Sequence, residues 1–301
     1  MAFLGAPRFI RAPRYRLVLA GAFACLLLVA GCSSGTPFKF NTDAFGEAIF
    51  QPDQFIINGL LLTVVISVVS QIIGIVLGIL GALGRLSRRR PLRWLSALYL
   101  WIFRGTPLIV QLVFFYFGLG AAHLFGWPDL VFLGFTITGA IQAGIFALGI
   151  NEGAYMTEII RAGILSIDPG QMEAAKSLGM TYAQSMRRIV LPQAARIIVP
   201  PLGNEFNNML KTTALLFVLG IQELYNTFVI KAGDNFQPFE MYLACALWFL
   251  LLTTIWGVIQ GWMERRLARG TPGSQAGGGR LLDRLFSFRG SAADPATAGT
   301  H

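Results

Sequence analysis

Four long runs of the sequence carry no charged residue, and they constrain the fold more than any other feature. These runs cover residues 55–84, 105–128, 130–151 and 241–263. Because about 20 consecutive apolar residues span the hydrocarbon core of a bilayer, each run is long enough to cross a membrane. Only 13% of the chain is charged, whereas soluble domains contain about 25% charged residues. The sequence therefore predicts an all-α protein, a polytopic transmembrane helical bundle.

The basic residues alternate with these apolar runs. Most of the 24 lysines and arginines lie in four patches, at residues 8–16, 85–93, 161–196 and 265–289. The hydrophilic segments between the patches contain only Lys39 and Lys231. Cytoplasmic segments of multi-pass membrane proteins carry such an excess of positive charge. We therefore place the four patches in the cytoplasm, and we do not interpret the net charge of +9 as a sign of nucleic-acid binding.

The first 31 residues have the layout of an export signal. Four arginines precede a short apolar stretch, residues 17–30. The sequence VAGC at residues 29–32 resembles a bacterial lipoprotein cleavage box, in which Cys32 is the lipidated residue. An uncleaved first transmembrane helix is the alternative interpretation of residues 1–31. Both interpretations place residues 32–54 outside the membrane.

The charge pattern also predicts the number and direction of the core helices. We expect a transmembrane domain at residues 55–267 that enters from outside and ends inside. Its five expected helices cover about residues 55–84, 95–119, 130–155, 197–221 and 241–262. Gly74, Gly78 and Gly81 lie close together in the first helix and predict tight packing on another helix. The tail, residues 268–301, is rich in glycine, alanine, serine and threonine, which predicts disorder.

A polar insert, residues 168–192, interrupts the apolar pattern after the third expected helix. Asp168 is a good N-cap residue, and Gln171 stands three residues later, where a capping box has Glu or Gln. Gly179 then suits the position that follows a helix C-terminus. The first half of the insert is therefore expected to be one short capped helix.

The second half of the insert repeats this pattern. Thr181 and Gln184 form a second capping-box sequence, and Pro192 is expected to end the helix that they begin. Such short helices cannot cross a bilayer. Ala174 and Ala175 leave a low surface that another protein could approach closely. The insert is therefore interpreted as a cytoplasmic docking module, with a solvated loop as the alternative.

The sequence EAAKSLGMTYAQSMRRIVLPQA, residues 173–194, resembles the EAA loop of bacterial ABC-importer permeases. The similarity rests on Glu173, Ala174, Ala175, Gly179, Ile189, Leu191 and Pro192. In that family the loop is the coupling helix, which sits in a groove of the ATP-hydrolysing subunit. The resemblance therefore assigns these residues, together with Gln171, to ATPase coupling.

Three further segments are similar to the polar amino acid branch of these importers. They are FRGTPLIVQL at 103–112, EIIRAGILSIDPGQMEAAKSLGM at 158–180 and LPQAARIIVPPLGNEF at 191–206. The similarity extends over about residues 58–267. One departure concerns KTTAL at residues 211–215, where family members commonly have Lys-Asp-Thr-Ser-Leu. The chain thus lacks an acidic group and a hydroxyl group at this place.

The resemblance implies a multi-pass subunit of the bacterial cytoplasmic membrane that works with several partners. These are an ABC ATPase dimer, an extracytoplasmic amino-acid-binding protein, and a second permease copy or a sister permease, all in contact with membrane lipid. ATP and Mg²⁺ would bind to the ATPase, because no lysine of this chain follows a glycine as a P-loop requires. We expect no catalytic activity, cofactor or metal site on this chain, and no nucleic-acid partner. An ATP-independent secondary transporter or channel remains the alternative.

Several polar residues fall inside the expected membrane helices. A charged side chain there is costly, at about 3 kcal/mol, and requires a partner or a water-filled cavity. Arg104 and Thr106 stand beside Gly105 and Pro107, which weaken the second expected helix. The alternative is that Arg104 lies at the cytoplasmic membrane surface. The fourth expected helix carries one polar stripe, formed by Asn204, Asn207, Asn208 and Lys211.

We interpret this stripe, together with Arg104 and Thr106, as the lining of the translocation path, where it would contact the charged backbone groups of the substrate. Polar packing between helices is the alternative for the stripe. Glu158 and Arg161 stand three residues apart at the cytoplasmic end of the third expected helix and are expected to pair. Their expected role is structural, because the pair would position the insert.

Overall fold

The computed structural model describes residues 39–132, 135–234 and 236–268. The expected signal segment, Cys32 and the tail from residue 269 onward lie outside these residues. Helices dominate the described part. They are α1 (Thr42–Phe50), α2 (Gln54–Leu86), α3 (Arg90–Gly105), α4 (Leu108–Ala121), α5 (Gly139–Leu165), α6 (Pro169–Ser177), α7 (Tyr182–Leu219), α8 (Leu224–Asp234) and α9 (Pro238–Ala268).

The centre of the bundle is the pair formed by α2 and α5, which pack on each other more extensively than any other two elements. The glycine face of α2 makes this approach possible. A Cβ atom on Gly74 would lie 2.7 Å from Cγ of Glu152, and one on Gly78 would lie 3.0 Å from the carbonyl carbon of Met156. The predicted close packing of this face is therefore present, and the partner is α5.

Three apolar clusters hold the other elements around this pair. The first joins α1, α2, α8 and α9, and the second joins α2, α4, α5 and α7. The third joins α2, α5 and α7 around Ala82, Met156 and Ile160. On α2 and α5 it lies nearer the C-terminal end of the helix than the second cluster does. Since α5 contributes to two of the three clusters, most of its sides face protein, and it does not need the uniformly apolar sequence of a lipid-facing helix.

Two helices in the described part of the chain are long and apolar enough to cross a bilayer by themselves. They are Gln54–Leu86 and Pro238–Leu267. Two bent pairs raise the number to four when each pair is counted as one span. Arg90–Gly105 meets Leu108–Ala121 at 104°, and Tyr182–Leu219 meets Leu224–Asp234 at 52°.

The structure corrects several expected boundaries. The second expected helix is broken at Thr106 and Pro107, because proline provides no N–H and disfavours a helical residue before it. The third begins at Gly139, after an antiparallel pair of strands, β1 (Leu130–Phe132) and β2 (Phe135–Ile137). The described part of the chain is therefore mostly helical and contains one small β-hairpin.

Two helices were not expected from the sequence. The first is α1, which lies in the segment that was predicted only to be external. The second is α8, whose N-terminus is capped by a buried carboxylate. Glu223 accepts hydrogen bonds from the main-chain N–H groups of Tyr225 and Asn226, at 3.0 and 2.8 Å. Glutamate is not among the preferred N-cap residues, so this helix start has no clear signal in the sequence.

An ion pair joins Asp53, the residue before α2, to Lys231 of α8. The Asp53 carboxylate lies 2.6 Å from Nζ of Lys231 and also caps α2 by accepting from the N–H of Ile56. Burial raises the pKa of Asp53, but the hydrogen bond and charge of Lys231 and the N–H of Ile56 outweigh it, so the pKa is lowered from its ordinary 3.8.

Asp53→Asn keeps an N-cap side chain and removes the ion pair, so we expect a loss of stability below about 1 kcal/mol at neutral pH. Because the pKa of Asp53 is lowered in the folded state, the ionised carboxylate contributes its full stabilisation of the fold at pH values above the ordinary pKa of 3.8. This contribution decreases as the pH falls through the lowered pKa. Thermal unfolding of the detergent-solubilised chain should therefore show a difference at pH 7 that disappears in strong acid. A double-mutant cycle with Lys231→Gln isolates the pair, and additive effects would contradict it.

Candidate functional site

The insert is an ordered unit of two helices, as the capping pattern predicts. Asp168 caps α6 by accepting from the N–H of Gly170 at 2.8 Å. Gln171 does not complete a capping box here, because its Oε1 instead accepts from Nε2 of Gln193 at 3.5 Å. This contact joins the start of the insert to its end.

Gly179 ends α6 with a left-handed backbone conformation, φ 77°. Its N–H donates to the carbonyl of Lys176 at 2.9 Å, and the N–H of Met180 donates to the carbonyl of Ala175 at 3.1 Å. These two bonds form a Schellman motif, which satisfies the last carbonyls of the helix. A residue with a Cβ is strained in this conformation, so the corner between the two helices depends on glycine.

The second helix begins with a complete capping box. The N–H of Gln184 donates to Oγ1 of Thr181, and Oε1 of Gln184 accepts from the N–H of Thr181. The expectation that Pro192 ends this helix is wrong. The chain continues through a π-helical turn, Met186–Val190, into Leu191–Thr212, so α7 runs unbroken. The wider π turn accommodates Pro192 at the start of the next α-helical segment, where a missing N–H costs little.

The exposed surface of the insert differs in part from the expected one. Ala175 is 1% exposed, so it packs inside the insert, whereas Glu173 and Ala174 remain on the surface. Two apolar side chains that the sequence analysis did not select project beside the Gly179 corner: Leu178 is 83% exposed and Tyr182 is 64% exposed. Leu178 and Tyr182 stand on either side of the corner in the sequence, and exposed apolar side chains grouped within one short turn are typical of a protein contact surface.

The residues of the remaining EAA similarity lie along the π turn and the next α-helical turn. Ile189 is half-buried there, and Leu191 and Pro192 are exposed. On α5, Nε and Nη2 of Arg161 lie 3.2 and 2.8 Å from Oε2 of Glu158, so the expected pair is present. This ion pair stands in the last two turns before the insert.

Arg104 lies at the break between α3 and α4. Its guanidinium group lies 5.3 Å from the centre of the Tyr155 ring on α5, a distance at which a cation and an aromatic face attract. Thr106 donates to the carbonyl of Ile102 at 2.8 Å and so closes the end of α3. Both side chains are exposed on this chain.

The side-chain amides of Gln111 and Asn151 form hydrogen bonds at this break, and the sequence analysis did not select either residue. Nε2 of Gln111 lies within 3.1 Å of the carbonyls of Phe103 and Thr106 and of Oγ1 of Thr106. Asn151 on α5 donates to the same Phe103 carbonyl at 2.9 Å and to Oε1 of Gln111 at 3.1 Å. Carbonyls freed by a helix break inside a membrane need such partners. The available signal in the sequence was that Gln111 and Asn151 are polar residues within uncharged apolar runs.

The polar stripe of α7 does not form one uniform surface. Asn204 accepts from Nε2 of Gln260 on α9 at 3.0 Å, so it joins two helices. Asn207 has a buried Oδ1 without a hydrogen-bond partner among the described residues. Asn208 is exposed, and Lys211 lines a cavity of about 280 Å³ between α7, α8 and α9. The stripe thus serves both helix packing and an accessible surface.

Solved structures include one that resembles most of this fold. It is described as the crystal structure of an amino acid ABC transporter with histidines. One of its chains is 36% identical in sequence, with a TM-score of 0.67, and the match covers 76% of this chain and all of that chain. A chain of the MetNI methionine ABC transporter, at 20% identity and a TM-score of 0.58, supports the fold alone.

Sequence relatives extend over a similar part of the chain. The arginine transport system permease protein ArgU of Corynebacterium glutamicum is 39% identical over 240 residues, which are 77% of this chain and 75% of that protein. The arginine transport system permease protein ArtQ of Bacillus subtilis is 39% identical over 213 residues, 71% of this chain and 92% of that protein. Residues 74–269 match the family of binding-protein-dependent transport system inner membrane components. The chain belongs to this family.

Proposed function

We propose that the chain is the permease subunit of an ATP-driven importer of a polar amino acid. The two relatives named above are arginine transport system permeases, and the similar solved structure is an amino acid ABC transporter. The observation that carries the proposal is the capped two-helix insert. It follows the central helix α5 directly and presents exposed Leu178 and Tyr182 at its corner.

The insert fits the role of a coupling element. Two capping structures and a Schellman motif make it rigid, so it can transmit a displacement without absorbing it. Leu178, Tyr182 and Ala174 supply an apolar surface that fits a groove of the ATPase. The small side chain of Ala174 lets the ATPase approach closely, and Glu173 places a charge at the edge of this surface. Ala175, Gly179 and Ile189 then act by holding the insert in shape. ATP and Mg²⁺ bind to the ATPase, and this chain provides no cofactor site.

The proposed topology has five spans with the N-terminal side of α2 outside and the end of α9 inside. Four of these spans are the two single helices and the two bent pairs, and the remaining one is α5, which is third in chain order. The 27 residues of α5 extend about 40 Å, which is more than the hydrocarbon thickness of about 30 Å. Its many polar and small residues fit a span that is surrounded by other helices. Arg265 and Arg266 end α9 on the same side as the basic segment between α2 and α3 in this topology.

The importer needs further partners. A binding protein delivers the substrate from outside, and a second copy of this chain or a sister permease completes a two-fold pore. The lipid-exposed sides of α2 and α9 carry many exposed leucine, isoleucine and valine residues. A lipid on Cys32, or an uncleaved first helix, would add an anchor before residue 33.

ATP dependence is the direct test of this proposal. The purified chain is reconstituted in liposomes with its cassette ATPase and its binding protein, and accumulation of labelled amino acid is measured. We expect accumulation only with Mg²⁺ and ATP on the ATPase side, and no effect of ionophores. Uptake by the chain alone, driven by an ion gradient, would instead establish the secondary-transporter alternative.

The proposed translocation path contains Arg104 and Asn207, together with the exposed Asn208 and Lys211. Thr106 and Asn204 border the path and hold neighbouring helices. Arg104→Ala and Asn207→Leu each remove a group able to hydrogen-bond a charged substrate, which is worth about 1.5–3 kcal/mol. We expect ATP-driven uptake to fall about tenfold or more in each variant.

The matched control for this pair is Arg93→Ala, which removes an exposed arginine of α3 away from the break. Each variant is quantified in the membrane fraction before uptake is compared. Normal uptake by Arg104→Ala or Asn207→Leu at normal protein levels would remove that residue from the path.

A further inference from the structure

The corner between α2 and α3 combines dense positive charge with a lack of acidic residues, and the function described above does not use it. Five arginines lie at residues 85–93, whereas residues 54–128 contain no aspartate or glutamate. The insert and the end of α9, by contrast, mix acidic with basic residues. Residues 88–90 are three consecutive exposed arginines, and their side chains have no ion-pair partner among the described residues. Such a corner attracts an anion.

Contacts with α2 show that α3 runs back along the end of that helix. Oγ of Ser96 donates to the carbonyl of Gly81 at 2.8 Å. A Cβ atom on Gly84 would lie 3.3 Å from the carbonyl oxygen of Leu92. Positions on α3 therefore rise as those on α2 fall, so the two segments are antiparallel. Because α2 is a membrane-spanning helix, α3 lies in the same leaflet as the last turns of α2, which is the cytoplasmic leaflet in the proposed topology.

One face of α3 is apolar and exposed. Trp94 is 77% exposed and Trp101 is 75% exposed, and Leu98, which is also exposed, lies between them. These three residues, called the α3 stripe below, share one face because they are spaced at four and three residues. Arg90 stands four residues before Trp94 and heads the stripe. The opposite face packs on protein, where Tyr99 donates to a main-chain carbonyl of α5 at 2.6 Å.

The length of this face matches one leaflet of a bilayer. Trp101 stands 11 residues after Arg90, which is about 17 Å along the helix axis. Half of a hydrocarbon core of about 30 Å is about 15 Å. An acyl chain that lies along the α3 stripe therefore places its headgroup at the level of residues 88–90. Trp94 then lies at the depth at which tryptophan is enriched in membrane proteins.

An anionic phospholipid matches both parts of this surface. Its phosphate is the group that arginine binds with two parallel N–H bonds, and its acyl chain covers the apolar stripe. Inorganic phosphate would leave the stripe uncovered. Phosphatidylcholine would cover the stripe, but the ammonium group of its headgroup offsets the charge of its phosphate. Clusters of basic residues immediately cytoplasmic of a membrane helix are typical of anionic lipid recognition.

We propose that residues 88–90 bind the headgroup of an anionic phospholipid of the cytoplasmic leaflet, and that an acyl chain of this lipid lies along the α3 stripe. The lipid supplies the negative charge that this part of the chain lacks, and it holds the corner between α2 and α3 at the membrane surface. Binding needs neither ATP nor substrate. Only the identity of the leaflet rests on the proposed topology.

Quenching of tryptophan fluorescence by brominated lipids tests this site. The full-length chain with its ATPase is placed in nanodiscs of phosphatidylcholine mixed with phosphatidylglycerol, and one of the two lipids carries bromine on its acyl chains. Bromine quenches a tryptophan that it touches, and the signal of Trp94 is the difference between wild type and Trp94→Phe. We expect phosphatidylglycerol to be preferred at Trp94 by about fivefold to 30-fold, which corresponds to one or two arginines at an anionic lipid surface. The preference should decrease with added salt.

The variant that tests the headgroup contact combines Arg89→Gln with Arg90→Gln. It should lower the preference below about threefold. Brominated phosphatidylcholine alone should still quench Trp94 in this variant, which shows that the fold and the position of α3 are kept. The matched control combines Arg187→Gln with Arg188→Gln, which removes two exposed arginines of the insert and should leave the preference unchanged.

Three results would overturn the inference. Equal quenching by the two lipids in wild type would mean that α3 has an ordinary lipid-facing surface without a headgroup site. An unchanged preference in the α3 double variant would exclude the arginines. Absence of quenching at Trp94 by either lipid would mean that protein covers the α3 stripe. Failure of ATP-driven uptake with an intact lipid preference would overturn the proposed function alone.

Discussion

Leu178→Asp should release the ATPase from the detergent-solubilised chain and abolish ATP-driven uptake. Leu178 is 83% exposed at the corner of the insert, so a polar side chain costs the fold of this chain little. In the assembled importer the same side chain is proposed to enter an apolar groove. Truncating such a central contact costs about 2–4 kcal/mol, and a buried unpaired charge costs more. We expect the affinity for the ATPase to fall at least 30-fold, measured by co-purification and titration.

Leu124→Asp is the matched control for this prediction. Leu124 is 75% exposed in the segment between α4 and β1, which the proposed topology places on the other side of the membrane. Its ATPase affinity should equal that of wild type. Co-purification of undiminished ATPase with Leu178→Asp would show that the insert does not dock through this corner.

Gly78→Ala should reduce the amount of folded protein in the membrane. The added Cβ would overlap the Cβ of Met156 and approach its backbone, so the two central helices would have to separate. Overpacking of this kind costs about 1–3 kcal/mol, although alanine is the better helix former. The measurement is the thermal stability of the purified chain, together with its level in the membrane fraction.

Gly257→Ala in α9 provides the comparison, because a Cβ at that position meets no atom within 4 Å. Its stability should equal or slightly exceed that of wild type. A stable Gly78→Ala variant would mean that α2 and α5 are not held at this distance.

Features that depend on local chemistry could be predicted from the sequence. The apolar runs predicted membrane spans, and the glycine face of α2 predicted a close helix contact. The Thr181 capping box and the Gly179 corner were predicted because both depend on residues within five positions of each other. Local rules are sufficient wherever the partners of a side chain are close in the chain.

Features that depend on distant partners could not be predicted in this way. The break at Thr106 is held by Asn151, which lies 48 residues after the Phe103 carbonyl that it binds. The start of α8 depends on Glu223 and on Thr63, which lies 160 residues earlier. Pro192 was expected to end a helix because sequence rules assume α-helical geometry, and the π turn before it changes that geometry.

The unbroken course of α7 has a mechanical consequence. The same helix begins in the insert at Tyr182 and contains Met209, which is buried in the second apolar cluster about 40 Å further along its axis. No loop separates the two points, so a push on the insert would reach that cluster as the tilt of a rod. The α6 end of the insert has no such connection, because Ser166, Ile167 and Asp168 separate it from α5. A stroke of the ATPase would therefore act on α7 as a lever and on α5 through a joint, so the two helices would move relative to each other.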